Sequence, residues 1–145
     1  MAAMTLTRDR RTELLAAAPL FAGVDADGLA RLAGRTVEVE FATGRVIVRQ
    51  GEVGTGFFVI ASGAADVIRD GAVIATLGPG DFFGELSVLD GQPRTAQVVA
   101  TEPTVCLGLA TWEFEASVRE EPSVALAVMR GLASRLRCLT EGTHH

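Results

Sequence analysis

Hydrophobic positions along the chain follow a helical rhythm, then an alternating one, then a helical one again. From Arg8 to Ala18 the apolar residues fall at helical spacing, with Leu14 and Leu15 on one side, and Pro19 ends the run. Asp25 stands where it can N-cap a second helix reaching Ala33, with Leu29 and Leu32 turned inward. At Thr36 the period drops to two. Val37, Val39 and Phe41 alternate with Glu38 and Glu40, which predicts a half-buried strand. Short apolar runs follow at Val46–Val48, Phe57–Ala61, Ala64–Arg69 and Val73–Leu77, with glycine turns between them, and Asp70-Gly71 signals a hairpin. Gln97–Ala100 and Thr104–Ala110 complete the strand series. Helical spacing returns at Thr111 with Trp112, Phe114 and Val118. Pro122, well tolerated in a first turn, opens a longer helix along which Ala125, Val128, Met129, Leu132, Leu136 and Leu139 form one apolar stripe.

Short strands with glycine corners, flanked by helices, predict a mainly β fold: an antiparallel β-jelly-roll (a double-stranded β-helix) rather than an open sheet. Its 145 residues suit about one domain with a real core. The expected organisation is a helical lead over 1–19, a binding domain over 20–141, and 142–145 as a cloning scar and tag remnant ending in His144-His145. Gly contributes 16 residues, above the ~7% average usage, which agrees with many tight turns. Although 48% of the residues are hydrophobic, no apolar run is long enough to span a bilayer, so no membrane partner is expected. Met1 to Arg11 carries no signal-peptide core, and a cytoplasmic protein is expected.

Charge and chemistry-bearing residues exclude several functions. The formal net charge is −5, and all 13 basic residues are arginine. A nucleic-acid partner demands a positive face, so none is expected through this chain alone. Cys106 and Cys138 form no C-x-x-C pair; Cys106, among apolar neighbours, reads as a small core residue. With no histidine inside the fold, a metal-dependent enzyme on a jelly-roll lacks its ligands. Neither a G-x-S-x-G elbow nor a Cys/His pair occurs. No catalytic residue, metal or catalytic cofactor is therefore expected.

The segment Gly80-Asp81-Phe82-Phe83-Gly84-Glu85-Leu86-Ser87-Val88-Leu89-Asp90-Gly91-Gln92-Pro93-Arg94-Thr95-Ala96 carries the functional signal. One arginine beside free backbone amides suits a single phosphate, which accepts paired bonds from a guanidinium and further bonds from N–H groups at a helix start. Glu85 cannot serve that phosphate, since two buried anions repel each other. As an acceptor it needs a hydroxyl donor, such as a ribose 2′-OH. One phosphate with a free ribose hydroxyl beside it fits a 3′,5′-cyclic nucleotide. The competing reading of Glu85 is a cap on the short helix it begins.

The same segment resembles the phosphate-binding cassette of the cyclic-nucleotide-binding domain family: Phe83-Gly84-Glu85-Leu86, small Ser87, then Pro93-Arg94-Thr95-Ala96. Leu20-Phe21-Ala22-Gly23-Val24, Gln50-Gly51-Glu52 and Phe58–Gly63 are similar to flanking parts of that family, so the likeness spans roughly 20 to 140. The resemblance implies Arg94, Thr95, Ser87 and Leu86 on the phosphate, and Glu85 and Gly84 on the ribose. It implies Val67, Ile74, Ala75, Phe83, Ala96 and Val98 as base and pocket wall, or alternatively as plain core. On the last helix, Arg135, Leu136, Leu139 and Thr140 match positions that cover the base, as a C-terminal lid; the alternative is packing on the sheet or on a partner helix in a homodimer. Thr95 is compatible with cyclic GMP as well as cyclic AMP, and cyclic AMP is favoured. Gly131 interrupts the last helix as a poor helix former and is read as a flexible point. The second function class is the ligand-sensing half of a CRP-like DNA-binding regulator, truncated before its helix-turn-helix. The downstream effector is left open.

Overall fold

The computed structural model describes residues 6–53, 56–84 and 92–142, with the side chains at 135, 141 and 142 outside that description. Its strands are β1 (Val37–Phe41), β2 (Val46–Val48), β3 (Gly56–Ser62), β4 (Ala65–Arg69), β5 (Ala72–Leu77), β6 (Phe82–Phe83), β7 (Gln97–Ala100) and β8 (Thr104–Ala110). They pair, wholly antiparallel, as two sheets with the orders β1-β8-β3-β6 and β2-β7-β4-β5. Apart from the β4–β5 hairpin, successive strands thus pass from one sheet to the other, which is the jelly-roll expected from the sequence. The hairpin at Asp70-Gly71 is present, with φ of 51° and 82°, the paired positive values that suit a two-residue turn.

Among the described residues, helices cover one face of the first sheet. They are α1 (Arg8–Ala17), a 3-10 turn at Pro19–Phe21, α2 (Ala26–Ala33), α3 (Thr111–Glu120) and α4 (Pro122–Gly142). Thr7 caps α1 by accepting from the Arg10 amide, and Asp25 caps α2 by accepting from the Gly28 amide at 2.8 Å. The alternation of β3 and β8 divides their side chains between two cores. Phe57, Val59, Leu107 and Leu109 pack with the helical residues Leu14, Leu15, Leu20, Phe21, Leu32 and Phe114. Ile60 and Cys106 turn the other way, into the space between the sheets, where they meet Ala65 and Val98. Burial there pushes the Cys106 thiol up to about 12, so it behaves as a small apolar residue.

Three expectations need correction. Val37 heads an edge strand opposite Gly108, which offers it no side chain, and it is largely exposed rather than half-buried. The stripe on α4 is buried only in part. Val124, Ala127 and Val128, with part of Leu132, enter the helix-side core, whereas Leu126, Met129, Leu136 and Leu139 stand in solvent. Gly131 is a point of close approach: a Cβ there would lie 3.3 Å from the Pro19 carbonyl oxygen, so the glycine lets α4 press on the 3-10 turn.

An ion-pair cluster fixes the elbow between α3 and α4. Arg31 on α2 donates from Nε and Nη2 to the two carboxylate oxygens of Glu121 at 2.6 and 2.7 Å. Arg35, one turn later, reaches Glu120 and Glu113. The hydrogen bonds from Arg31 hold the Glu121 carboxyl below the usual carboxylate range.

Phe21 joins the helical lead to the roll. Its ring meets Phe57 edge-on at 5.6 Å and lies 6.2 Å from Phe114. Phe21→Ala is expected to lower unfolding stability by about 3–5 kcal/mol in a urea titration. A loss under about 1 kcal/mol would show that the site collapses around the missing ring, a much softer core than its full burial indicates.

Candidate functional site

Arg94 lies just before β7, and the backbone fixes it before any ligand is considered. Its N–H donates to the Glu52 carbonyl at 2.8 Å, and its own carbonyl accepts from the Gly51 amide at 2.8 Å. Val53 and Pro93 add a β-bridge beside this exchange. Pro93 cannot donate, and it holds Gln92 away from helical backbone, so the chain arrives extended. The side chain runs inward until the residue is only 9% exposed, and Nη2 donates to the Gly56 carbonyl at 2.7 Å. Among the described residues no carboxylate pairs with it. Desolvation alone lowers its pKa from the ordinary arginine value. A guanidinium starts so high that it stays charged at neutral pH. The result is a buried cation, held by one backbone carbonyl, with further donors in a planar fork suited to an oxyanion.

Gly84 closes the other side of this arginine. Its φ is +86°, a conformation most side chains avoid, and an added Cβ would lie 2.5 Å from Arg94 Nη1 and 2.7 Å from the Gly56 oxygen. Gly56, Gly84 and Arg94 therefore interlock: a side chain at Gly84 displaces either the guanidinium or the carbonyl that anchors it. The approach to Gly84 is fixed by a turn in which the Gly78 amide donates to Asp81 Oδ2 at 2.7 Å. Ile60 on β3 then donates to the Asp81 carbonyl and accepts from the Gly80 amide, both at 2.8 Å. Phe83, next in line, stacks on Phe58 with ring centroids 5.3 Å apart.

The residues singled out in the sequence fall into three groups. Gly84 and Arg94 lie side by side, with no room for a side chain at Gly84. Phe83, Val67 and Val98 belong to the cluster between the sheets, Val98 buried and the other two half-buried, and the register sets Val67 against both Val98 and Ala75. Ala96 is half-buried nearby along the chain, Thr95 and Ala75 are exposed, and Ile74 falls at the irregularity between β4 and β5, half in solvent. Leu136 and Leu139 are 65% and 70% exposed and pack on neither sheet. Thr140 donates to the Leu136 carbonyl of its own helix. Glu85, Leu86 and Ser87 lie outside the described residues, as does the side chain of Arg135. The anchoring carbonyl of Gly56 and the backbone exchange with Gly51 and Glu52 had no signal in the sequence, because backbone atoms leave none.

The β-roll thus carries a buried arginine beside a positive-φ glycine. Comparison with known proteins makes the class definite. The family model described as "Cyclic nucleotide-binding domain" matches residues 38–121, and the chain belongs to that family. It is 31% identical over 130 residues to the CRP-like cAMP-activated global transcriptional regulator of Mycobacterium tuberculosis, covering 86% of this chain and 58% of that protein. It is 37% identical over 90 residues to the cAMP-dependent protein kinase regulatory subunit of Yarrowia lipolytica, covering 62% of this chain and 24% of that one. The chain thus spans well under two thirds of either relative. Among solved structures, the N-terminal domain of a transcriptional regulator from Streptomyces coelicolor A3(2) superposes with a TM-score of 0.81 at 32% identity, over 89% of this chain and 93% of that one. The matched family is one of regulatory binding domains. Among the described residues no helix is long and apolar enough to cross a membrane.

The interlock predicts opposite effects on stability from its two members. Arg94→Met removes a desolvated charge and is expected to leave unfolding stability within about 1 kcal/mol of wild type, or to raise it. Gly84→Ala is expected to destabilise by more than about 1 kcal/mol, through the forced φ and the clash. Urea unfolding of the two variants reads both, and equal losses would contradict the interlock.

Proposed function

We propose that this domain is a receptor for a 3′,5′-cyclic nucleotide, cyclic AMP in preference to cyclic GMP, and that occupancy is converted into movement of α4. The observation that carries the reading is the buried Arg94, which the fold holds in place with no carboxylate paired to it among the described residues. In this reading Arg94 takes the cyclic phosphate together with Thr95 and the backbone amides of Leu86 and Ser87. Glu85 accepts from the ribose 2′-OH, and Gly84 allows the sugar close approach. Val67, Phe83, Ala96 and Val98 form the wall, with Ile74 and Ala75 at its margin. The two relatives, one a cAMP-activated regulator and one a subunit of a cAMP-dependent kinase, support cyclic AMP. Their additional length leaves the effector to the proteins in which such domains occur, a DNA-binding regulator among them. A cytoplasmic location accords with a ligand made inside cells.

Calorimetry with cyclic AMP and cyclic GMP tests the reading. Binding is expected, with a melting temperature that rises with saturation; no heat and no thermal shift at millimolar ligand would refute it. Arg94→Ala is expected to cost on the order of 2–5 kcal/mol of affinity, since the phosphate then enters without its counter-charge. Glu85→Gln is expected to lose less affinity but to abolish the preference for ribose over 2′-deoxyribose. Retained discrimination would assign Glu85 to capping.

The solvent-exposed Met129, Leu136 and Leu139 support the signalling part of the proposal. With ligand, Leu136 and Leu139 close over the base, and Arg135 and Thr140 add polar contacts. The second use of the same face is pairing with α4 of another copy in a homodimer. Hydrogen exchange over residues 131–140 is expected to slow on adding cyclic AMP at a protein concentration where sedimentation shows no change of mass. Equal protection with and without ligand, at constant dimer mass, would assign the face to the dimer instead.

A further inference from the structure

Three pairs of adjacent residues, far apart in sequence, are linked in a closed circuit around the phosphate-binding arginine. The Gln50 side chain grips the β4–β5 turn, donating from Nε2 to Asp70 Oδ1 at 2.8 Å and accepting from the Asp70 amide at 3.0 Å. Arg69, the neighbour of Asp70, donates from Nε to the Thr95 carbonyl at 3.2 Å. Arg94, the neighbour of Thr95, accepts from the amide of Gly51, the neighbour of Gln50, at 2.8 Å. Each pair thus bonds both of the others, and the circuit closes on itself.

We infer that Gln50 and Arg69 are positioning residues for ligand binding: they hold the Arg94-Thr95 backbone where the phosphate is received. The inference rests on the receptor reading but adds to it two side chains outside the cassette. The physical argument is one of local freedom. Thr95 is exposed and sits in a bend rather than a ladder, so β7 does not fix its carbonyl. Asp70 takes a positive φ of 51°, uncommon for a non-glycine residue, and Gln50 adds both an acceptor and a donor there. With the turn fixed, Arg69 is delivered to Thr95 from a defined point. A preorganised receptor loses less freedom on binding, so breaking the circuit reads out in affinity.

The experiment measures cyclic AMP affinity, ligand-free melting temperature and the phosphorus-31 shift of bound nucleotide for Gln50→Ala, Arg69→Ala and the double variant. Each single change is expected to weaken binding about fivefold, the scale of one partly exposed hydrogen bond, with the ligand-free melting temperature nearly unchanged. Because either cut opens the same circuit, the double variant is expected to bind little worse than the singles, not about 25-fold worse as independent sites would. Arg69→Lys keeps a donor for the Thr95 carbonyl and is expected to recover most of the loss. The bound phosphorus shift is expected to move in both alanine variants and return in Arg69→Lys. Wild-type affinity and shift in both alanine variants, or fully additive losses, would overturn the inference. Should wild type itself bind no cyclic nucleotide, the receptor reading fails separately. The circuit is then judged by hydrogen exchange in the ligand-free chain: faster exchange of the Gly51 and Arg94 amides in both variants upholds it, and unchanged exchange overturns it.

Discussion

A guanidinium carried into the wall of a β-roll needs something other than a carboxylate to hold it if it is to remain available to an anion. Here the Gly56 carbonyl does this, and most of the surrounding architecture follows from the requirement. Gly56 begins β3, Gly84 follows β6, and Arg94 precedes β7. These points come together because β3 pairs with β6 in one sheet while β7 lies in the other. A neutral carbonyl orients the cation without cancelling its charge. Removing an ion from water costs several kcal/mol even after relaxation, so the site is a local debit that the rest of the fold must offset.

The offset lies on the other face of the first sheet. The core beneath the helices is large and closed, with Leu14, Leu15, Phe21, Phe57, Leu107, Leu109 and Val124 all nearly inaccessible. Between the sheets the buried cluster among the described residues is small, Ile60, Ala65, Val98 and Cys106, and Phe41, Ile47, Val48, Phe58, Val67, Leu77 and Phe83 packed around it are half-covered. Well-packed interiors leave few such partly covered apolar groups. Stability is therefore concentrated where helices meet sheet, and the inner face of the roll keeps partly covered apolar surface.

Much of this was legible in the sequence, for a reason that particular residues show. Asp25, Pro19, Pro122 and Asp70-Gly71 act through their own backbone, so the elements they bound were readable one segment at a time. The cassette was readable because its chemistry is carried by side-chain types at fixed spacing. What escaped depends on partners distant in the chain. Val37 alternates like a buried strand residue, yet its cross-strand neighbour Gly108 leaves it open. Gly131 looks like a weak point in a helix until the Pro19 carbonyl stands against it. Leu136 and Leu139 continue the period of Val128 and Leu132, but the core ends before it reaches them. Hydrophobic period places a residue on a face; it does not say whether anything lies opposite.

That last distinction sets the energetics of any signal passing through α4. Val124, Ala127 and Val128 are already buried, so a ligand gains nothing by recruiting the first half of the helix. Only the exposed half can contribute differential binding, and a ligand shifts an equilibrium by no more than that difference. Fully covering Leu136 and Leu139 is worth about 1.5–3 kcal/mol each. Moving a two-state element from 1:99 to 99:1 requires about 5.5 kcal/mol. Two leucines meet that figure only at the upper end of their range, before the entropy of ordering the segment is subtracted. In the receptor reading, a decisive switch therefore needs polar contacts from the same turns, the part proposed for Arg135 and Thr140, or the added apolar area of a second copy against Met129.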